Sequence, residues 1–261
     1  MQSTRLGLEQ TLTAAPELLP RFERAVGDAP YEDKGVLFSE MFFLLASVAH
    51  LRPQRIFESG RARGVSTYLL GACFPESQIV SVEFDAQSSD VPVAAANLRG
   101  MKHIECLFGD AQRLLPARVG AGDVVVIDGP KHFRALRLAF RLLRDQQPAA
   151  VFIHDCHLGS CERGFLAPNV PTAFYSDQQM FVDRYRDLDS KCWALRKNLG
   201  SEDFPVPYQF RGKPSSYGPT FACLPQTDAL RCSRLLTHVF FASLWHRLRA
   251  SVAKQAAARR S

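Results

Sequence analysis

Nowhere do the 261 residues string together the roughly 18 apolar residues that a membrane span requires. The opening "MQSTRLGLEQ" lacks the apolar core of a secretory signal. The seven cysteines (Cys73, Cys106, Cys156, Cys161, Cys192, Cys223, Cys232) form no CxxC pair. An odd, dispersed set argues against a disulfide framework and for buried thiols in a reducing, cytoplasmic setting. Internal repeats are missing, and so is low complexity outside the Ala/Arg-rich end. Acidic residues are absent from 231–261, which hold seven Lys and Arg. The net charge of +6 therefore sits in that tail, the body is near neutral, and the basic balance gives no reason to expect a nucleic-acid partner. With 46% apolar and 22% charged residues, the chain can bury one good core.

What is present is an alternation. Residues 6–50 read as helical, and "FSEMFFLLASVAHL" (38–51) is apolar all round, as in a helix packed on a larger body. Short β-rich runs follow at "RIFE" (55–58), "QIVSVEF" (78–84), "HIECLF" (103–108), "DVVVID" (123–128) and "AAVFIHD" (149–155). Helix-compatible stretches lie between them at 65–73, 86–99, 111–118 and 132–145. This order predicts an α/β fold, a Rossmann-like, doubly wound, mostly parallel sheet with helices on both faces. "CWALRK" (192–197) and "TFACLP" (220–225) would close it as an edge hairpin, giving seven strands. The expected organisation is an N-terminal helical extension (1–50), an α/β domain (51–225) and a basic amphipathic C-terminal helix (226–261).

Ligands of open α/β sheets bind beyond the carboxyl ends of the strands. Each of the five runs brings an acid there: Glu58, Glu83, Asp110, Asp128 and Asp155. Acids at strand ends also serve as helix N-caps. After the first run comes "ESGRARGVST". It lacks the lysine of a phosphate-binding P-loop, and Ala62 replaces the second glycine of a dinucleotide fingerprint. What remains is an acid followed by small residues at alternate positions, Gly60, Ala62 and Gly64, which admit a ligand close to the backbone. The acid would repel a pyrophosphate but pairs with an ammonium group, which suits S-adenosylmethionine. Glu83 is placed to accept ribose hydroxyls, and "GDAQ" (109–112), with Asp110, to meet the adenine edge.

On these residues the chain resembles the class I S-adenosylmethionine-dependent methyltransferases, and within them the small O-methyltransferases of the catechol and caffeoyl-CoA type. The resemblance covers about residues 38–165 and is strongest at "FESGRARGVST", "VEFD", "GDAQRLLP" and "VVIDGPK…FIHDC". It implies that Glu58, Gly60 and Gly64 hold the methionine part, that Ser66 contacts its carboxylate and that Glu83 holds the ribose. Asp128 is expected at both the cofactor and the reaction end. Asp128 and Asp155, ending neighbouring strands, are a candidate pair for Mg²⁺ or a similar divalent cation. Lys131, three residues after Asp128, is the candidate base, provided its pKa is lowered. Where the resembled family has Asn or Asp after the second acid, this chain has Cys156, a poor Mg²⁺ ligand. The site would then use two ligands, recruit His154 or His157, or bind no metal. A zinc site in "HDCHLGSC" (154–161) is disfavoured, because neighbouring residues on a strand point to opposite faces.

The expected function is therefore an S-adenosylmethionine-dependent O-methyltransferase acting on a hydroxylated small molecule. Its rivals are a sugar- or antibiotic-modifying enzyme on the same scaffold and a cofactor-binding protein without catalysis, for which Cys156 is the main argument. Arg61 and Arg63, between the small residues, are expected to face away, solvated or paired with acids of the N-terminal helices; the alternative has them guiding an anionic substrate. Two segments, 158–175 and 201–219, read as irregular pocket-building loops. From 232 to 252, apolar residues recur at helical spacing beside basic ones. That helix is expected to dock on the body or on a second copy in a homodimer, with contact to an anionic membrane surface as the sharper alternative.

Overall fold

The computed structural model describes residues 6–30, 36–192, 209–210, 213–214 and 220–258, the last ten of these as backbone only. Strands β1 (Arg55–Ser59), β2 (Gln78–Glu83), β3 (Ile104–Phe108), β4 (Val124–Ile127) and β5 (Ala150–Ile153) are parallel. Two more, β6 (Phe174–Tyr175) and β9 (Ala222–Pro225), complete a seven-stranded sheet of order β3-β2-β1-β4-β5-β9-β6. β9 runs antiparallel to both of its neighbours. The remaining strands, β7 (Gln209–Phe210) and β8 (Lys213–Pro214), pair separately.

The central strands are apolar throughout because both faces are covered. Val124 and Val126 of β4 face one core with Ile56, Ile79 and Phe152. Val125 and Ile127 face the other with Phe57, Val80 and Ile153. Helices α1 (Leu8–Gly27), α2 (Phe38–Val48) and α3 (Val65–Cys73) cover the first face. The second is covered by α5 (Ala111–Arg118), α6 (Phe133–Asp145), α7 (Cys161–Asn169) and α9 (Ala229–Ala258), while α4 (Asp90–Asn97) and α8 (Gln179–Tyr185) fill connections. On α6 the buried Leu136, Ala139, Phe140 and Leu143 repeat at helical spacing, and Arg134, Arg137 and Arg141 occupy the opposite, exposed side. All 11 residues of α2 are buried, so this helix belongs to the core rather than standing apart from it.

Two expectations need correction. The segment 158–175 is not irregular: Ser160 accepts the Arg163 N–H, starts α7, and the run ends in β6. "TFACLP" does supply a strand, but β9 lies between β5 and β6 instead of forming an edge hairpin. Residues 193–197 of "CWALRK", like most of 201–219, lie outside the described residues. The C-terminal helix docks on the body through Cys232, Leu235 and Val239, with His246 against Phe133 further along. Phe240, Phe241, Leu244, Trp245 and Leu248 remain exposed. Among the described residues no helix is long and apolar enough to cross a membrane.

Phe43 locks α2 to the sheet, its ring centroid lying 6.3 Å from Phe152, 5.4 Å from Phe174 and 5.3 Å from Phe181. Phe43→Ala should lower unfolding free energy by about 3–5 kcal/mol. Chemical denaturation checks this, and a loss below about 1 kcal/mol would show that the α2–sheet contact is not a main support.

Candidate active site

The strand order reverses between β1 and β4, and the site lies there, at the carboxyl ends of both. A cleft of about 220 Å³ is walled by residues 60–66 of the loop after β1, with Asp128, Lys131, His154 and Asp155 opposite and Val36 at its margin.

The loop is small for two separate reasons. Gly60 has φ +89°, and a Cβ there would lie 3.1 Å from Gly129 N and 3.2 Å from Asp128 Cβ, because the β1 and β4 ends meet at that point. Gly64, at φ +82°, turns the chain into α3. Ala62 is also left-handed, at φ 44°. Its N–H donates to Glu83 Oε2 at 2.9 Å, while Glu83 Oε1 accepts the Phe84 N–H at 2.8 Å. Glu83 thus stands against the loop, as its position in the sequence predicts. Glu58 does not face the cleft. It is buried beneath the loop, with Oε2 accepting from Ser81 at 2.7 Å and from Thr67. Burial pushes its carboxyl above the usual range, partly offset by hydrogen bonds from Ser66, Thr67 and Ser81. Asp110 acts as the N-cap of α5, accepting the Gln112 N–H at 2.9 Å.

The two arginines overturn the expectation of an outward, solvated pair. Arg61 is buried, donates to the Ser81 carbonyl at 2.9 Å and lies over the Phe108 ring with 5.0 Å to its centroid. Arg63 pairs with Asp90 of α4 at 3.0 Å.

Opposite the loop, ionisable side chains form a chain of contacts. Lys131 Nζ donates to Asp155 Oδ2 at 2.6 Å and to Asp128 Oδ1. His154 Nδ1 lies 2.7 Å from Asp128 Oδ1, and its Nε2 lies 3.3 Å from Glu40 Oε1. Glu40, buried in α2, also accepts the Leu37 N–H at 3.0 Å. Burial opposes charge on His154, but Asp128 and Glu40 outweigh it and hold the imidazole protonated well above its ordinary value. Burial likewise opposes charge on Asp128, and His154 and Lys131 outweigh it, so its carboxyl is held far below the usual range. For Lys131 burial would lower the pKa, yet Asp128 and Asp155 raise it. This reverses the lowered pKa that a neutral lysine base requires. Asp155 reaches Lys131 from a left-handed backbone, φ 59°, which an aspartate tolerates.

Sequence reasoning passed over Glu40. The signal was there: one carboxylate in an otherwise apolar helix has to be paired. It also placed Cys156 at the metal position. The structure buries Cys156 in the second core, its N–H donating to the Thr220 carbonyl at 2.8 Å, so its thiol is not aimed at the carboxylates. His154 takes the neighbouring place, but both of its nitrogens are engaged by carboxylates and Lys131 lies between the two acids. Asp128, His154 and Asp155 also lie close enough together to serve as metal ligands, so an ion there would have to displace Lys131 from the two acids.

No protein-family model matches the chain, and no curated protein matches it. Among solved structures, it is similar to the O-methyltransferase TomG from Streptomyces achromogenes, in complex with SAM, at 17% identity and TM-score 0.45, over 87% of this chain and 100% of that one. It is similar to an O-methyltransferase from Bacillus cereus in complex with SAH at 16% identity and TM-score 0.42, over 81% and 90% of the two chains. It is also similar to an SAH-bound methyltransferase from Podospora anserina at 13% identity and TM-score 0.42, over 80% and 88%. The strand order, with its one strand antiparallel to the rest, defines the fold as Rossmann-like.

Glu83 and Glu58 should separate under mutation. Glu83→Ala removes a half-exposed carboxylate and should leave stability near wild type while weakening S-adenosylmethionine binding at least about tenfold, the loss of one or two charge-assisted bonds. Glu58→Ala strips buried hydroxyls of their acceptor and should cost about 1–3 kcal/mol of stability. Calorimetric titration and denaturation read the two effects; unchanged affinity in the Glu83 variant would reduce that residue to a brace for the loop.

Proposed function

We propose that the protein is an S-adenosylmethionine-dependent O-methyltransferase that acts on a hydroxyl of a small molecule without a divalent metal. The observation that carries this reading is Lys131, held between Asp128 and Asp155 on the rim opposite the small-residue loop. Glu83 stands against the loop as a carboxylate without a cationic partner among the described residues, which suits the ribose hydroxyls of S-adenosylmethionine. Gly60, Gly64, Ser66 and Glu83 would hold that cofactor, with Asp110 beyond them. When bound, it supplies a methyl group that is already strongly electrophilic.

The remaining work belongs to the chain. Lys131 keeps its proton, because two carboxylates favour the ammonium form. It acts as a hydrogen-bond donor that stabilises the acceptor oxygen as an anion, and the acceptor's proton leaves to solvent. One ammonium shifts a neighbouring pKa by a few units at most, so the arrangement favours an acidic hydroxyl, phenolic or enolic, over a plain alcohol. Catalysis is then largely alignment of that oxygen with the methyl group. A cofactor-binding role without catalysis loses its main support, since Cys156 lies in the core and displaces nothing at the rim.

Turnover should not require Mg²⁺, and added Mg²⁺ should not raise it. Lys131→Ala should lower turnover at saturating acceptor by about 10²–10⁴, with cofactor affinity barely changed. Lys131→Arg, which keeps the charge but cannot serve as a base, should retain clearly more activity than the alanine variant. Equal loss in both variants would return Lys131 to the role of base, and rescue of chelated enzyme by Mg²⁺ would restore the metal. Absence of S-adenosylmethionine binding by folded protein would end the methyltransferase reading.

A further inference from the structure

Immediately after Lys131, at the end of the β4–α6 connection, a second cluster joins residues distant in sequence. His132 precedes α6, and Cys161 and Glu162 open α7. His132 Nδ1 lies 3.6 Å from Cys161 Sγ and 3.8 Å from Glu162 Oε1, and Cys161 Sγ lies 3.2 Å from Glu162 Oε2. A tetrahedral Zn²⁺ with ligands at about 2.0–2.3 Å spaces them roughly 3.3–3.8 Å apart. The His132–Cys161 separation matches such an edge, and each oxygen of the Glu162 carboxylate lies near that distance from one of the two.

Burial gives a second, independent pointer. The Glu162 side chain is 3% exposed; its carboxylate accepts the His132 backbone N–H and the Cys161 S–H, and its sole ion-pair partner among the described residues is the 80% exposed His132. A buried carboxylate without a fixed cation is costly, and a metal ion would supply one. The cluster differs in kind from the Asp128–His154–Asp155 group, where an ammonium already lies between the acids. It joins a thiol, an imidazole and a carboxylate, the mixed ligand set of zinc rather than of magnesium.

We propose that His132, Cys161 and Glu162 form a binding site for a Zn²⁺-like divalent ion. Binding breaks the Cys161 S–H bond, forms a metal–sulfur bond and releases the proton to solvent, with no change of oxidation state. The fourth position is left to a water or an incoming group. Cys161 also lines a separate cleft of about 520 Å³ whose walls include Phe133, Phe165, His238, Trp245 and His246. The ion would tie the turn that carries Lys131 to the start of α7, clamping one side of the reaction centre without entering it. The inference does not depend on methyl transfer.

Cobalt is the probe, because a thiolate ligand gives Co²⁺ a charge-transfer absorption that oxygen and nitrogen ligands do not. Metal-stripped full-length protein titrated with Co²⁺ should develop that absorption at one equivalent, and Zn²⁺ should displace it. Cys161→Ser should abolish the band, and His132→Ala should weaken Co²⁺ binding at least about tenfold. Circular dichroism of each variant verifies folding. If Cys161→Ser fails to fold, Glu162→Gln, which keeps the acceptor oxygen for the His132 N–H, should weaken binding by a similar factor. No charge-transfer band in the wild-type protein, or a band that survives in folded Cys161→Ser or is unaltered in folded Glu162→Gln, would overturn the site.

Discussion

Charge buried at the rim of the sheet has to be paired, and this constraint shapes the site. Glu40, His154, Asp128, Lys131 and Asp155 form an alternating series of acid and base that starts inside α2 and ends at the cleft. Each member is tolerable only because its neighbour carries the opposite charge; taking out one from the middle leaves a buried ion uncompensated. The series accounts for the carboxylate inside an apolar helix, for the protonated state of His154 and for the charge on Lys131. It also fixes α2 against the rim, so the N-terminal helices and the reaction centre are parts of one electrostatic unit.

The fold was legible because its signals are local. Continuous apolar runs such as "DVVVID" and "AAVFIHD" admit few readings, and they became the central strands β4 and β5. The residues of the rim were legible too, since the strand ends of a parallel sheet converge. Less visible was the direction of each side chain. Glu58 and Glu83 look alike in the sequence, yet one lies under the loop and the other beside it. Arg61 reads as a surface residue until Phe108, on a strand formed 47 positions later, supplies a ring for it. The state of Lys131 could not be read from spacing at all, because it depends on whether the two acids bind a metal or the lysine itself.

The short strands at the end of the sheet show the same limit. Two residues, Phe174 and Tyr175, carry no periodicity that distinguishes them from a loop. They become a strand because β9 offers backbone partners at Cys223 and Ala222. The His132–Cys161–Glu162 cluster likewise exists only after α6 and α7 are placed side by side. A search of "HDCHLGSC" alone finds the cysteine but not the histidine that meets it.

The opposite edge of the sheet has a consequence for solubility. Among the described residues β3 pairs only with β2, which leaves its outer row of backbone groups open to another strand. Such an edge invites sheet-to-sheet stacking between molecules. Here Glu105, the second residue of β3, is bridged to Arg118 at 2.9 Å, while the guanidinium of Arg61 lies over Phe108 at the strand's end. An incoming strand would have to desolvate that ion pair and align beside it. The charges on β3 thus work as a guard against fibrous association, and a charge-neutralising change at Glu105 would expose the chain to it without touching the cleft.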